Sequence, residues 1–288
     1  MVKFSLLVPI LNEEKNIENF LELVLNQELV PEIVFADGGS TDKTISIIKG
    51  YKNKNIKLIE LGERGTGRAI NAAFDASTGE YVMHAGVDWR FYNRDFFSDI
   101  AKSIKGKPDV IIVHIPMDKR SNNIIRESIR FWDQRNSPYK VIIFVRRDKF
   151  PKYPDISYGE DRIAGKRLFE TKGLKQQILY KNYDYERDSE GFSLAKFIKR
   201  YMWYGRTYNL YLKECKDPVE YMRLAAILMC TIFPPLLVIP GILSIFQALK
   251  FLKMYPVLLI TFPLLAMIST FSMGIGYLLH FVNKDLGH

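Results

Sequence analysis

The sequence predicts an α/β protein: a mostly parallel sheet with helices on both faces, followed by two apolar helices long enough to cross a membrane. Three observations carry this. Short apolar runs alternate with helix-period segments over the first two hundred residues, the pattern of a sheet built from strand–helix–strand units. Polar residues stand at the ends of those apolar runs. No residue is charged from Leu224 to Phe246 or from Met254 to Asn283, and each run reaches the roughly 20 residues a helix needs to span a hydrocarbon core.

The elements follow in order. FSLLVPIL is a continuous apolar strand, and NEEKNIENFLELVLNQ places Ile17, Phe20, Leu21 and Val24 on one helical face. EIVFADGG is a second strand closed by a turn, and STDKTISIIKGY opens a helix with Ser40, Thr41 or Asp42 as its cap. IKLIEL is a third strand, GTGRAINAAFDAST a third helix, YVMHA a fourth strand and DVIIVHIPM a later one. His84 and His114 fall inside apolar strands and read as core residues rather than ligands. Ligands of such sheets bind beyond the carboxyl ends of the strands. That rule gathers Pro9, Asn12 and Glu13 after the first strand, Asp37 after the second, Arg64 after the third and Asp88 after the fourth into one crevice. Any one of them is ordinary turn chemistry. Four strand ends each bearing a group suited to a base, ribose, phosphate or metal point instead to a binding site.

Other classes lack their signatures. There is no P-loop, and GTGRA lacks the spacing of a dinucleotide fingerprint, so phosphates fall to a metal and cations rather than to a glycine-rich cradle. Cys215 and Cys230 are far apart and define neither a disulfide framework nor a zinc site. The formal charge of +9, in a chain with membrane-length apolar runs, suggests anionic lipid headgroups as partners rather than nucleic acid.

VPILNEEKNI, FADGGSTDKT, GRAINAAFDASTGEYV followed by a strand-end Asp, and FVRRDKFPKYPDISYGEDRIAGKRL together resemble, in order and spacing, the family 2 inverting glycosyltransferases of the GT-A fold over about residues 3 to 210. The resemblance implies that Asp37 contacts the nucleobase of a UDP- or GDP-linked sugar donor, flanked by Pro9, Asn12 and Glu13. It implies that Asp88 is the second acid of an Asp-x-Asp pair holding Mg²⁺ or Mn²⁺ on the donor diphosphate. The first acid of that pair is replaced by Gly86. Mg²⁺ keeps several waters and needs only one or two carboxylates when a diphosphate supplies other oxygens, so Asp88 alone is chemically sufficient. Arg64 and Arg68 are the basic helpers for the leaving diphosphate.

Inverting transfer to a hydroxyl requires a base. YGEDRIAGKRL offers Glu160 and Asp161 at a helix start, where acids are also favoured for capping. Adjacent helical residues do not share a face. The family pattern selects Asp161, with Glu160 second. SLAKFIKRYMWYGRTYNLYLK interleaves bases with aromatics ahead of the first apolar run, the composition of an interfacial helix. The resemblance adds Arg200, Trp203 and Arg206 as candidate acceptor or phosphate contacts, and RESIRFWDQR (Arg126 to Arg135) reads as acceptor-side or as a solvated face.

The expected organisation is a GT-A domain over 1–195, an amphipathic interfacial segment over 196–222 and a transmembrane hairpin over 223–288. Pro234, Pro235, Pro240 and Gly241 are expected to bend or break its first arm. The opening hydrophobic stretch is too short for a signal peptide's core. Basic residues Arg206, Lys213, Lys216 and Arg223 precede the first arm, against Lys250 and Lys253 between the arms, which places the amino-terminal part on the cytoplasmic face of a cell membrane. The expectation is a membrane-anchored hexosyltransferase moving a sugar to a membrane-presented, lipid-linked hydroxyl. Its rivals are a polyprenyl-phosphate sugar synthase, whose ionised acceptor needs no base, a sugar nucleotidyltransferase, disfavoured by NEEKN after the first strand, and a non-catalytic nucleotide-sugar binder.

Overall fold

The computed structural model describes residues 2–118, 120–133, 136, 139–156, 158–187 and 193–282. Gln134 and Arg135 of the acceptor-side stretch, and residues 283–288 of the expected hairpin, lie outside the described residues. The chain divides into two compact units, residues 1–115 with 141–188, and residues 116–140 with 189–288.

The first unit is built on a seven-stranded sheet. Its strands are β1 (Phe4–Ile10), β2 (Glu32–Asp37), β3 (Ile56–Glu60), β4 (Tyr81–His84), β6 (Val110–Pro116), β7 (Tyr139–Arg146) and β8 (Gln176–Tyr180), in the order β3-β2-β1-β4-β7-β6-β8. β5 (Trp89–Phe91) and β9 (Tyr185–Arg187) form a separate antiparallel ribbon. β1 pairs in parallel with β2 and β4, β2 with β3, and β6 with β8, whereas β7 runs against β4. Because β1 lies between β2 and β4, successive connections leave it in opposite directions, and a crevice opens at the carboxyl ends of β1 and β4. Ile10 stands opposite Asp37, and Asp37 opposite Glu60, so the polar strand ends share one edge.

Alternation along β1 supplies both faces with core. Leu6, Val8 and Ile10 pack with α1 (Ile17–Leu25), whose Ile17, Phe20, Leu21 and Val24 are all fully buried, as the helical spacing predicts. Leu7 points the other way, onto Ala69, Ile70 and Ala73 of α3 (Thr66–Ala76). α2 (Thr44–Gly50) starts later than its candidate caps suggest. Asp42 accepts from the backbone N and hydroxyl of Thr44 at 3.0 and 2.6 Å, while Ser40 and Thr41 bond elsewhere. α4 (Phe96–Ser103) brings Phe96, Phe97 and Ile100 into the same core as Phe4, Phe91 and Phe144. The amino edge of the sheet is tied by ions and hydroxyls. Glu32 accepts from Ser5 Oγ at 2.5 Å and Thr78 N at 2.7 Å and pairs with Lys57 at 2.8 Å.

The second unit consists of α5 (Ile124–Asp133), α7 (Leu194–Cys215), α8 (Pro218–Ile232), α9 (Val238–Ala248) and α10 (Leu258–Val282), with the short segment after β6. The expected single domain over 1–195 is therefore interrupted. The physical reason is that Ile129, Phe131 and Trp132 of α5 pack with Phe197 of α7, Phe251, Tyr255 and Phe262, and Trp132 Nε1 donates to Tyr201 Oη at 2.8 Å. α7 lies along α10 at backbone contact. A Cβ at Gly205 would collide with the Met273 carbonyl, and one at Gly276 with that of Met202. The first apolar run is not one helix. It breaks at Phe233, where Pro234 and Pro235 open a 3₁₀ turn, as their missing N–H groups require, while Pro240 and Gly241 sit inside α9 without breaking it. Pro234–Phe251 and Leu258–His280 are each long and apolar enough to cross a membrane.

Candidate active site

The loop after β1 and the turn after β2 are knitted together. Asn12 adopts a left-handed backbone (φ 56°), its Oδ1 accepts from Thr41 N at 2.8 Å, and its own N–H donates to Ser40 Oγ at 2.9 Å. A non-glycine residue in that conformation is sparsely populated and is held here by the facing turn. Asp37 is buried, and its carboxylate accepts from Gly39 N at 2.9 Å and from Ser40 N and Oγ. It shapes the turn. Pro9 lies opposite Ala36 within the sheet, one residue before the Ile10–Asp37 pair.

Glu13 follows on the same loop. Its N–H donates to Thr44 Oγ1 at 2.7 Å and its carboxylate accepts from Asn16 Nδ2 at 3.0 Å. Burial raises its pKa, opposed by the Asn16 hydrogen bond and reinforced by the negative charges of Asp88 and Asp42. Glu13 and Asp88 thus share an electrostatic neighbourhood at the β1/β4 switch point. Asp88 lies in the short connection between β4 and β5, with its carboxylate turned back over Gly86. A Cβ at position 86 would collide with Asp88 Oδ1 and lie 3.2 Å from the Trp89 indole. The missing acid is replaced by the space its neighbour uses.

Sequence reasoning missed Arg90. This guanidinium is 3% exposed, donates to the Val87 carbonyl at 2.6 Å and reaches Asn16 Oδ1 at 3.2 Å, so it braces the Asp88 turn against the residue that holds Glu13. Its adjacency to Asp88-Trp89 was the only available signal.

Arg64 is exposed on the loop after β3, its Cα beneath Gly38. Arg68 is engaged: Nη1 meets Glu63, and Nε and Nη2 reach Asp155 Oδ2 at 3.1 and 2.6 Å. Together with Asn71, which exchanges two hydrogen bonds with the Tyr153 backbone, it ties α3 to the 153–155 segment. Gly67 permits the approach, since a Cβ there would collide with the Pro154 carbonyl.

α6 (Glu160–Phe169) begins after Gly159 in a left-handed conformation (φ 73°), so both candidate bases stand in its first turn. Asp161 is exposed, and its Oδ1 accepts from Arg162 N at 2.8 Å. Glu160 is half-buried, and burial together with the Asp161 charge pushes its carboxyl up to about 7. Burial and the charges of Asp161 and Glu160 also raise the phenol of Tyr153, whose ring meets His84 edge-on at 6.1 Å. His84 ends β4, four residues before Asp88, and is half-exposed rather than a core residue. Tyr153 therefore links the acidic turn of α6 to the strand that delivers Asp88.

Arg200, Trp203 and Arg206 belong to α7 of the second unit. Arg200 makes a two-pronged contact with Asp133 at 2.7 and 3.0 Å and lies over the rings of Phe197 and Tyr201. Trp203 is 42% exposed and Arg206 half-buried.

Among the described residues no three His, Cys, Asp or Glu side chains gather into a metal-binding group. Asp88 with Glu13 nearby is a hard-oxygen donor set of one or two carboxylates, which fits a divalent cation whose remaining ligands are water and a diphosphate. A mostly parallel sheet with an acid-lined switch point and a separate acidic helix turn is an arrangement that suits a nucleotide-sugar transferase.

The comparisons agree with that class. Residues 5–167 match the family model described as glycosyl transferase family 2, and the chain belongs to that family. It is 33% identical over 120 residues to the poly(ribitol-phosphate) β-N-acetylglucosaminyltransferase TarS of Staphylococcus aureus, a match covering 39% of this chain and 21% of that relative's length. It is 26% identical over 242 residues, 73% of this chain and 74% of the relative, to a Methanococcus voltae enzyme named dolichyl N-acetyl-α-D-glucosaminyl phosphate 3-β-D-2,3-diacetamido-2,3-dideoxy-β-D-glucuronosyltransferase. Among solved structures, the mannosyltransferase PcManGT of Pyrobaculum calidifontis, in complex with GDP-Man and Mn²⁺, superposes with a TM-score of 0.61 at 17% identity over 99% of this chain and 88% of that one. The fold is thus that of the GT-A neighbours.

Proposed function

We propose that the chain is an inverting glycosyltransferase that moves a hexosyl unit from a UDP- or GDP-linked donor to a hydroxyl of a lipid-linked acceptor. The observation that carries this reading is the pairing of two acidic sets at the carboxyl edge of one sheet: Glu13 with Asp88 at the switch point, and Glu160 with Asp161 beside Tyr153 and His84. Asp37, Asn12 and Pro9 border the base pocket. Asp88, aided by Glu13, would hold Mg²⁺ or Mn²⁺, which when bound offsets the charge of the leaving diphosphate. Arg64, exposed beside the Asp37 turn, would reach phosphate, while Arg68 positions the loop.

Asp161 takes the acceptor's proton as its oxygen attacks the anomeric carbon. Glu160 holds a proton into the neutral range because burial, and after it the charge of Asp161 alongside, raise its carboxyl. Glu160 is then the neutral partner beside the proposed Asp161 base. A base at this position favours a hydroxyl acceptor over an already ionised phosphate oxygen. The lipid-linked substrate named for the M. voltae relative supports the acceptor class.

The apolar helices would embed the second unit in a membrane. Ile239, Ile242, Leu243 and Phe246 of α9 are each at least half exposed, a surface suited to acyl chains rather than water. The bases at 206–223 support a cytoplasmic side for the catalytic sheet. The test is a panel of UDP- and GDP-sugars with Mn²⁺, read by thermal unfolding and by nucleotide release on adding lipid extract. One sugar nucleotide should raise the melting temperature and turn over only with the lipid fraction. A protein shifted by none of them is not this enzyme.

A further inference from the structure

The turn that delivers Asp88 carries one acid, since Gly86 stands where a second would be, so the direction of that single carboxylate depends on what holds the turn. Trp89 N–H donates to the Gly86 carbonyl at 3.1 Å and closes it. One side chain then gathers the other carbonyls: Arg90 Nη1 donates to that of Val87 at 2.6 Å and reaches that of Trp89 at 3.5 Å, with the guanidinium almost wholly buried. Arg90 stands on a fixed strand. Gln27, buried just beyond α1, donates from Nε2 to the Phe91 carbonyl at 3.2 Å, and the Phe91 ring packs against Phe96 and Phe97.

The other prong of the guanidinium crosses to the loop after β1. Nη2 donates to Asn16 Oδ1 at 3.2 Å, and Asn16 Nδ2 donates to Glu13 Oε2 at 3.0 Å. Asn16 occupies the N-cap position of α1, where an asparagine side chain ordinarily accepts from a helix N–H, yet it makes no capping bond. Its amide serves the acids instead. Set between a guanidinium and a carboxylate, that amide has one orientation that satisfies both, oxygen toward Arg90 and nitrogen toward Glu13. Glu13 and Asp88 leave different strands and are joined by the link Val87–Arg90–Asn16–Glu13. Glu13 feels the negative charge of Asp88 and the positive charge of Arg90, which offsets part of the repulsion between the two acids. A planar fork makes these contacts at once, whereas an ammonium in its place would keep the charge and lose the two-sided reach.

We propose that Arg90 and Asn16 are positioning residues that hold Glu13 and Asp88 in fixed register for a divalent cation on the donor diphosphate. This rests on the cation-dependent donor reading given above and assigns the arrangement of its two acids to a guanidinium–amide link.

The test measures binding of UDP and of GDP to the full chain by titration calorimetry, with Mn²⁺ and with chelator, for wild type, Arg90→Lys, Asn16→Ala and the double variant. Arg90→Lys should weaken Mn²⁺-dependent binding about tenfold or more, the usual effect of losing a group that orients a metal ligand. Asn16→Ala should weaken it about three- to tenfold, the value of one hydrogen bond. The double variant should fall within about twofold of Arg90→Lys alone, because both changes cut one link. Binding in chelator should match wild type throughout, since the Asp37 turn is untouched. In transfer assays the donor KM should rise at low Mn²⁺ and recover as Mn²⁺ is raised, whereas a purely structural role would lower the melting temperature and the active fraction at every Mn²⁺ concentration. Asn16 is half-buried and caps no helix, so its variant keeps the test alive if changing the buried guanidinium prevents folding. Variants that bind like wild type with Mn²⁺, losses that add in the double variant, or losses equal with and without Mn²⁺ overturn the proposal. A wild type bound by neither nucleotide fails the donor reading itself, a result distinct from a binding wild type with indifferent variants.

Discussion

The two edges of the central sheet treat their acids in opposite ways. At the amino edge Glu32 is half-buried, yet hydrogen bonds from Lys57, Ser5 and Thr78 outweigh that burial and hold its carboxyl down at about 2. Asp148 is likewise held low by Arg146, which also pairs with Asp109 at 2.8 Å. At the carboxyl edge burial and like charge win: Glu13 is raised with Asp88 and Asp42 nearby, and Glu160 with Asp161 beside it. A carboxylate supplied with donors is part of the scaffold. A carboxylate crowded by other carboxylates awaits a cation or a proton, which is the electrostatic mark of a working site.

The largest expected effect falls on the acidic helix turn. Asp161→Asn keeps the shape and removes the proposed base, so sugar transfer should fall about a thousandfold while nucleotide affinity is retained. A variant that transfers normally would move Asp161 to the scaffold side of the comparison. Next is Asp88→Ala. Losing the proposed cation ligand should weaken Mn²⁺-dependent binding of the UDP or GDP nucleotide about 10- to 100-fold, and leave metal-free nucleotide binding nearly unchanged, by titration calorimetry with and without chelator. Equal Mn²⁺-dependent affinities of wild type and Asp88→Ala would remove the cation from this edge.

Much of this division was legible in the sequence. The periodicity of Ile17, Phe20, Leu21 and Val24, the strand-end positions of Asp37 and Asp88, and the break at Pro234-Pro235 all follow from local rules, and the structure shows each of them. What was not legible depends on long-range contact. Nothing in Arg126 to Asp133 says that α5 will pack on α7 and Tyr255, because an amphipathic face does not name its partner. Arg90 carries no motif of its own, and its role exists only because the β5 turn meets Asn16. Gly86 reads as a lost acid until the Asp88 carboxylate is seen occupying the space above it.

A single type of substitution, made once at each edge, tests the contrast most directly, because the two results should differ in sign. At Glu32 the folded pKa lies below the ordinary 4.5, so its stabilisation is fully present above pH 4.5 and is lost as pH falls toward 2. Glu32→Gln should therefore cost about 2 to 3 kcal/mol at pH 7 and flatten the acid limb of the unfolding profile, by urea titration across pH. At Glu160 the folded pKa lies above 4.5, so the folded state keeps a proton that the unfolded chain releases between pH 4.5 and 7. The resulting cost grows across that window and is complete above pH 7. Glu160→Gln should then stabilise the protein at pH 8 by about 1 to 2 kcal/mol, a value discounted for half-exposure, and change nothing at pH 4. In activity, the same substitution should remove an inflection near pH 7 and alter the rate at pH 8 only a few-fold, since the variant mimics the protonated partner but leaves the proposed Asp161 base in place. A Glu160→Gln protein destabilised at pH 8 would show that its carboxyl is paired like Glu32, and the two edges would no longer differ in kind.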